Sequence, residues 1–217
     1  MRWLNSMVKK IVSPWVEQKR SREQEVVRKK EAVLATAARL FQEKGFENCT
    51  LSDIAEALEV TKPTIYYYGK SKELLLVEIL NYATEAMVSA FQRASELEST
   101  GLEKLRAAMH DHAEIRLSDS GRCLPLVREA IMSPENRAAL TERGRRAKTY
   151  IYKIFDDGFA DGTIREGDRL FLYHTLFGAL NWLHMWIHEV PGMSLGEVVD
   201  GQAEIFIRGI AGPAVKV

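Results

Sequence analysis

The chain has 217 residues, enough to bury a sizeable core in one compact domain or in a small domain joined to a larger one. Its 30 Lys and Arg balance 30 Asp and Glu, so no global basic charge argues for nucleic acid and any electrostatic footprint must be local. Cys49 and Cys123 are too few for a disulfide framework, and with no signal-peptide pattern at the N-terminus they lead us to expect a reducing, cytoplasmic location.

Residues 1–24 form a basic N-terminal extension. The first 30 residues carry nine Lys and Arg against Glu17, Glu23 and Glu25, either an arm that neutralises phosphates or a solvated tail. Within it, Trp3, Leu4, Met7, Val8, Ile11, Val12 and Trp15 share one helical stripe. That stripe fits either a helix packed on its own domain or one resting on a membrane surface, and the Ser13-Pro14 break keeps it short.

The informative segment is Thr50 to Lys72, TLSDIAEALEVTKPTIYYYGKSK. Leu51, Ile54, Ala55 and Leu58 fall on one face of a short helix whose other face holds Ser52, Asp53, Glu56 and Glu59. Thr50 is its expected cap, with Asp53 completing a capping box. Val60 is expected to plug the turn, and Thr61 to cap a second helix with Pro63 in its first turn. Ile65 and at least part of Tyr66 face inward, which leaves Lys62, Thr64, Tyr67 and Tyr68 outward as hydroxyls, a methyl, a cation and aromatic edges suited to bases and phosphates. Two short helices with such a second face make a helix-turn-helix whose second helix enters the major groove. Three adjacent tyrosines alone would fit an ordinary helical core; the complete string does not.

The stretch Ala32 to Leu75 resembles the DNA-binding domain of the TetR family of transcriptional regulators. The resemblance rests on Leu40 and Phe41, Gly45-Phe46, Thr50, Ile54-Ala55, Val60, Thr64-Ile65-Tyr66, Tyr68 and Ser71-Lys72-Glu73-Leu74. It implies a helix-turn-helix domain over 25–72, a ligand-binding and dimerisation domain over 73–217, and an all-α fold of about nine helices. It implies DNA contacts at Thr50, Ser52, Lys62, Thr64, Tyr66, Tyr67, Tyr68 and Lys72. Lys62, Tyr66, Tyr68 and Lys72 are expected on phosphates, Thr64 and Tyr67 on base edges. Two positions depart from the family pattern. Glu59 stands where the turn usually carries Gly, at a cost of about 1–2 kcal/mol if its backbone is left-handed. Gly69 stands where a buried Phe or Val is usual; it removes a side chain worth about 1.5–3 kcal/mol, or it ends the helix in a left-handed cap.

Downstream the pattern stays helical, with no sustained period-two run. A long helix is expected from Ser71 to about Leu97, another over Leu102–Leu117, an irregular segment flanked by Gly121 and Pro125, and a cap-then-proline start at Ser133-Pro134 running toward Phe159. Two more helices are expected over Asp168–Glu189 and Ser194–Ile210. The first is apolar almost all round and near the length of a membrane span. His174, Asn181, His184 and His188 argue against lipid. Burial against its own domain on one side and a second subunit on the other accounts for it, and Gly178 and Ala179 permit close approach.

The family resemblance implies a homodimer through the last two helices, a palindromic operator and a repressor released by a small molecule. The expected lining includes Phe91, Met109, His112, Ile115, Arg116, Leu124, Leu126, Val127, Phe155, Phe177, Asn181, Trp182, Met185 and Trp186, which would serve equally as core. LPLVREAI and GALNWLHMW resemble the branch that senses acyl-CoA thioesters, which makes an acyl-CoA one candidate for the hydrophobic effector. Arg143, Arg145, Arg146 and Lys148 then either meet CoA phosphates or form a solvated helix face.

Other classes carry less. His184 and His188 share a face, and His110 with His112 could complete a tetrahedral metal set, yet no third ligand is fixed; no metal and no cofactor is expected. No phosphate loop, nucleophile elbow or zincin motif appears, and His110-Asp111-His112 diverges on a helix, so no enzyme is expected. The alternative is a helical interaction adaptor, or a small-molecule-binding protein without sequence-specific DNA binding, which leaves the Lys62/Thr64/Tyr67 cluster idle.

Overall fold

The computed structural model describes residues 22–128 and 132–210, and the stripe expected between Trp3 and Trp15, with the arm before Arg22, lies outside them. The described residues are all-α, with no β-strand among them. In chain order they form α1 (Arg22–Glu43), α2 (Leu51–Ala57), α3 (Lys62–Tyr68), α4 (Lys72–Ser95), α5 (Gly101–Leu117), α6 (Asp119–Arg122), a 3-10 turn (Leu124–Arg128), α7 (Pro134–Ala160), α8 (Arg169–Asn181), α9 (Leu183–Trp186), a second 3-10 turn (Ile187–Glu189) and α10 (Leu195–Ile210). They fall into two compact units, one built from residues up to Tyr82 with Asp119–Asn136, the other from Ala83–Ser118 and residues from Arg137 onward. The division falls inside α4.

In the first unit α1 buries Val33, Ala37, Leu40 and Phe41 at helical spacing. Gly45, at φ 81°, ends the helix in the left-handed region. Phe46 then meets Phe41 edge to face, 5.0 Å between centroids. The capping box of α2 is formed: the Asp53 amide donates to Thr50 Oγ1 at 3.2 Å and the Thr50 amide to the Asp53 carboxylate at 2.8 Å. α2 closes in a Schellman motif, with Val60 N–H to Ala55 C=O and Glu59 N–H to Glu56 C=O, both 3.0 Å. Glu59 occupies its left-handed position at φ 56°, where glycine would be unstrained. Val60 is half-buried, a partial plug for the turn.

Gly69 is not a left-handed cap. Its backbone is extended, φ −158°, and a Cβ there would lie 2.2 Å from Leu75 Cδ2. Leu75, almost fully buried, has taken the space that a side chain at 69 would fill.

The second unit packs α5, α7, α8 and α10 around Phe91, Leu105, Met109, Ile151, Phe155, Leu176, Phe177, Ala203 and Ile207. The start of α5 touches α7 backbone to backbone: a Cβ on Gly101 would lie 2.2 Å from Gly158 Cα. Gly101 N–H donates to Asp161 Oδ2 at 2.7 Å, Leu102 N–H to Thr163 Oγ1 at 3.2 Å, and Lys104 pairs with Asp157 at 2.6 Å. The otherwise orphaned first amides of α5 are thereby satisfied. α5 starts at Gly101, one residue before the expected Leu102, because Thr100 and Glu103 form a second capping box.

The single helix expected over Asp168–Glu189 is broken. α8 ends at Asn181, and the chain continues as the short α9 and a 3-10 turn. The Asn181 carbonyl accepts from Arg116 Nη2 at 3.3 Å and from His184 Nδ1 at 2.9 Å. Those bonds replace the intrahelical partner that a continuous helix would supply.

Gly101→Ala is expected to lower stability by about 1–3 kcal/mol or more, because the obstruction is backbone that cannot move aside. A shift in the urea midpoint at constant slope measures it.

Candidate DNA-reading face and effector core

α3 is seven residues long and buries Ile65 completely. Around that anchor the opposite face is open. Tyr67 is 75% and Tyr66 46% exposed, Lys62 is exposed, and Thr64 and Tyr68 are half-buried. Tyr66 therefore points outward more than the sequence pattern suggests, and Tyr68 less. Lys62 Nζ lies 5.9 Å above the Tyr66 ring, and Tyr67 and Tyr68 meet edge to face at 5.0 Å. Desolvation raises the Tyr68 hydroxyl above its ordinary range, so it remains a donor. Thr61 sits at the N-cap position but makes no side-chain cap bond; its hydroxyl pairs with Thr64 Oγ1 at 2.9 Å. This short bond fixes the Thr64 methyl and hydroxyl on the open face.

Thr50 and Ser52 are exposed at the start of α2. Thr50 also works as a cap, and hydrogen bonds from Lys44 and Thr50 hold the Asp53 carboxyl far below its usual range. Lys72 is only partly available: its ammonium donates to the Phe46 and Glu47 carbonyls, both at 2.9 Å, and stands 4.7 Å above the Phe46 ring. Two of its three N–H groups thus tie α4 to the loop after α1. Of the described basic-arm residues, Lys30 pairs with Glu78 at 2.6 Å and Lys29 with Glu25. An open cleft of about 630 Å³, lined by Tyr67, Tyr68, Gly69 and Lys70 with Leu74, Val77, Glu78, Asn81 and Asn136, adjoins the end of α3.

The expected effector lining divides. Phe91, Met109, His112, Arg116, Phe155 and Phe177 are all buried in the second unit. His112 lies parallel to Phe91 at 6.0 Å and edge-on to Phe177 at 4.9 Å, with Nε2 3.1 Å from Asn181 Oδ1. Leu126 and Leu124 belong to the other unit, and the Val127 side chain lies outside the described residues. Trp182 and Met185 are 63% and 49% exposed, which removes them from this core. Trp186 packs in a smaller cluster with Ala113, Leu183, Val198 and Val199. The cause is the break after Asn181, which turns the following side chains away from the face that Phe177 occupies.

Burial pushes His112 down to about 3, with the Arg116 cation acting in the same direction. The four histidines do not converge: His110 Nε2 meets Asp200 at 2.8 Å while His112 is turned inward. Among the described residues no three His, Cys, Asp or Glu side chains are placed to share a metal ion. Desolvation raises both cysteine thiols, Cys123 to about 11, so they stay protonated. In the basic run, Arg145 pairs with Glu142 at 2.6 Å and Arg143 with Glu85 at 3.3 Å. Lys148 lies over the Tyr152 and Tyr173 rings at 5.2 and 5.1 Å.

These features define a helix-turn-helix regulator with a second, helical unit. The family described as bacterial regulatory proteins, tetR family, matches residues 33–79, and the family described as tetracyclin repressor-like, C-terminal domain, matches residues 98–210. The chain belongs to the TetR family of transcriptional regulators. Among solved structures it is similar to the TetR family transcriptional regulator PfmR from Thermus thermophilus, at 30% identity and a TM-score of 0.72, covering 81% of this chain and 97% of that one. It is also similar to AibR in complex with isovaleryl coenzyme A and operator DNA, at 25% identity and a TM-score of 0.68, covering 81% and 96%. The HTH-type transcriptional repressor KstR2 of Mycolicibacterium smegmatis is 23% identical over 190 residues, 83% of this chain and 89% of its own.

Glu59→Gly is expected to stabilise the protein by about 0.5–1 kcal/mol, the left-handed strain relieved less the added chain entropy, read from the thermal midpoint. Because His112 is held neutral, its contribution is complete above its ordinary value of 6.5 and is lost as pH falls toward about 3. A stability profile between pH 7 and 4 should accordingly be flatter for His112→Leu than for the native chain.

Proposed function

We propose that this regulator is a homodimeric repressor that reads a palindromic operator with one α3 from each subunit and leaves it when a hydrophobic small molecule, with acyl-CoA thioesters the first class to test, enters the second unit. The observation that carries the DNA-reading half is the open Lys62/Thr64/Tyr66/Tyr67 face on a helix anchored by buried Ile65. Thr50, Ser52, Tyr68 and Lys72 complete the proposed contacts. A single seven-residue helix spans only a few base pairs, so specificity calls for a symmetric pair at helical-turn spacing.

The dimer is supported by what α8 and α10 leave uncovered. Both bury one face in the same core. On their other faces Phe171 and Ile205 are 72% and 78% exposed, Trp182, just past the end of α8, is 63% exposed, and a Cβ on Gly178, Gly201 or Gly209 would meet nothing within 4 Å. Large apolar side chains beside open glycines suit close helix approach by a second copy. The effector class draws support from the isovaleryl coenzyme A in the AibR complex and from the apolar lining of Phe91, Met109, Phe155 and Phe177.

Affinity selection of DNA with purified protein, with sedimentation in the same buffer, tests the proposal. A palindromic site bound by a dimer, and released by at least one acyl-CoA in a graded panel, is the expected result; a monomer, or indifference to every duplex at modest salt, would refute it. Lys62→Ala is expected to weaken all sequences similarly and to reduce the salt slope by about 1. Thr64→Ala is expected to change which sequence is preferred. Lys72→Ala should weaken binding and also lower the thermal midpoint, since the ammonium bridges two carbonyls.

A further inference from the structure

His112 Nδ1, on α5, is a buried ring nitrogen without a hydrogen-bond partner. The residue as a whole is more than nine-tenths buried. Its other nitrogen, Nε2, is held by the Asn181 carboxamide at 3.1 Å, so the imidazole is satisfied on one side only. Arg116, one turn further along the helix and equally buried, brings a cation to the same region and donates to the Asn181 carbonyl. A half-satisfied buried imidazole costs a core more than an apolar side chain of the same volume would. Folding alone does not explain such a residue between Phe91 and Phe177.

We propose that His112 Nδ1 anchors an oxygen-bearing group on an otherwise apolar effector, so that the protein prefers oxygenated molecules to hydrocarbons of the same shape. The inference rests on the reading of the second unit as the effector-binding part. The ring specifies the chemistry. With the Asn181 carboxamide oxygen accepting from Nε2–H, the neutral imidazole presents Nδ1 as a lone pair, which takes the proton of a hydroxyl. With the carboxamide turned over, Nδ1 carries the proton and donates, which suits a carbonyl. In either arrangement the nearby Arg116 cation favours the negative end of the dipole, the oxygen. Neither arrangement gains from a methyl. The Phe91 and Phe177 rings that flank the imidazole supply the apolar walls.

Ethylbenzene, 1-phenylethanol and acetophenone are matched in shape and differ only in the oxygen, so they serve as probes with the full-length protein. By titration calorimetry or ligand-observed NMR, one or both oxygenated probes should bind about tenfold tighter than ethylbenzene, the effect of one hydrogen bond made in a buried site. The tighter of the two reports the tautomer. In His112→Leu the preference should fall toward one while ethylbenzene binding is retained. The melting point of the unliganded variant reads the lost Nε2–Asn181 bond together with the removal of the unmatched Nδ1, so the anchor is judged on the probe preference. Equal binding of all three probes, binding of none, or a preference that survives His112→Leu overturns the proposal, as does a lowered melting point with the preference intact, the mark of a purely structural histidine. Operator binding by the same preparations is read in parallel. Intact DNA binding without probe preference defeats only the anchor, whereas probe preference without DNA binding defeats only the regulator reading.

Discussion

A seven-residue helix has almost no stability of its own in water, because nucleation fixes several residues before hydrogen bonds offset the entropy. α3 exists because Ile65 is buried to 0% exposure and because α2 delivers the chain to it through a closed Schellman turn. One buried isoleucine contributes about 1.5–3 kcal/mol. That is comparable to what the strained Glu59 and the unmade Thr61 cap withhold. The reading face thus depends on a small surplus held by tertiary contact, and the side chains that would meet DNA can be polar and open because none of them holds the helix in place.

This division explains why the head is legible in the sequence. Ile54, Ala55, Leu58 and Ile65 carry the packing; Ser52, Lys62, Thr64 and Tyr67 do not, and period and polarity separate the two sets. The capping box at Thr50 is a local property of the chain and follows from the order of residues, whereas the strain at Glu59 comes into view through the family resemblance, which puts a glycine at that turn position. Gly69 is not readable in that way. Whether a missing side chain leaves a hole or a left-handed cap depends on what packs there, and Leu75, six residues on, decides it by filling the space. Lys72 is the same kind of case: the family resemblance implies a phosphate anchor, but only folding shows that two carbonyls already claim its ammonium.

In the second unit, caps and apolar period place the starts of α5, α7, α8 and α10 within a residue or so of where they lie. The join after Asn181 is where pattern fails. Every residue from Arg169 to Glu189 is compatible with helix by pattern, and the break arises from partners 65 residues or more away, Arg116 on the carbonyl and His112 on the carboxamide. Long-range polar bonds leave no periodic trace. The same bonds redistribute the expected lining: once the helix stops, Trp182 and Met185 turn to solvent, while Phe177, one turn before the break, stays in the core.

That break also bears on how a ligand could matter to this fold. A ligand shifts a conformational equilibrium only by its differential affinity for the two states. An effector entering a core as closed as the one around Phe91, Met109 and Phe177 cannot bind both states equally, because entry requires those side chains to repack. Asn181 is where repacking has the most direct consequence. Its carbonyl ends α8, its carboxamide holds His112, and α9 begins two residues later. A contact that competes for Arg116 or His112 would take a partner from Asn181 at the end of α8, beside the exposed Trp182 and Met185. The polar triad links the interior of the unit to its surface through two side-chain hydrogen bonds, Arg116 to the Asn181 carbonyl and His112 to the Asn181 carboxamide, and both these bonds and the close-packed core around them favour discrete over graded rearrangement.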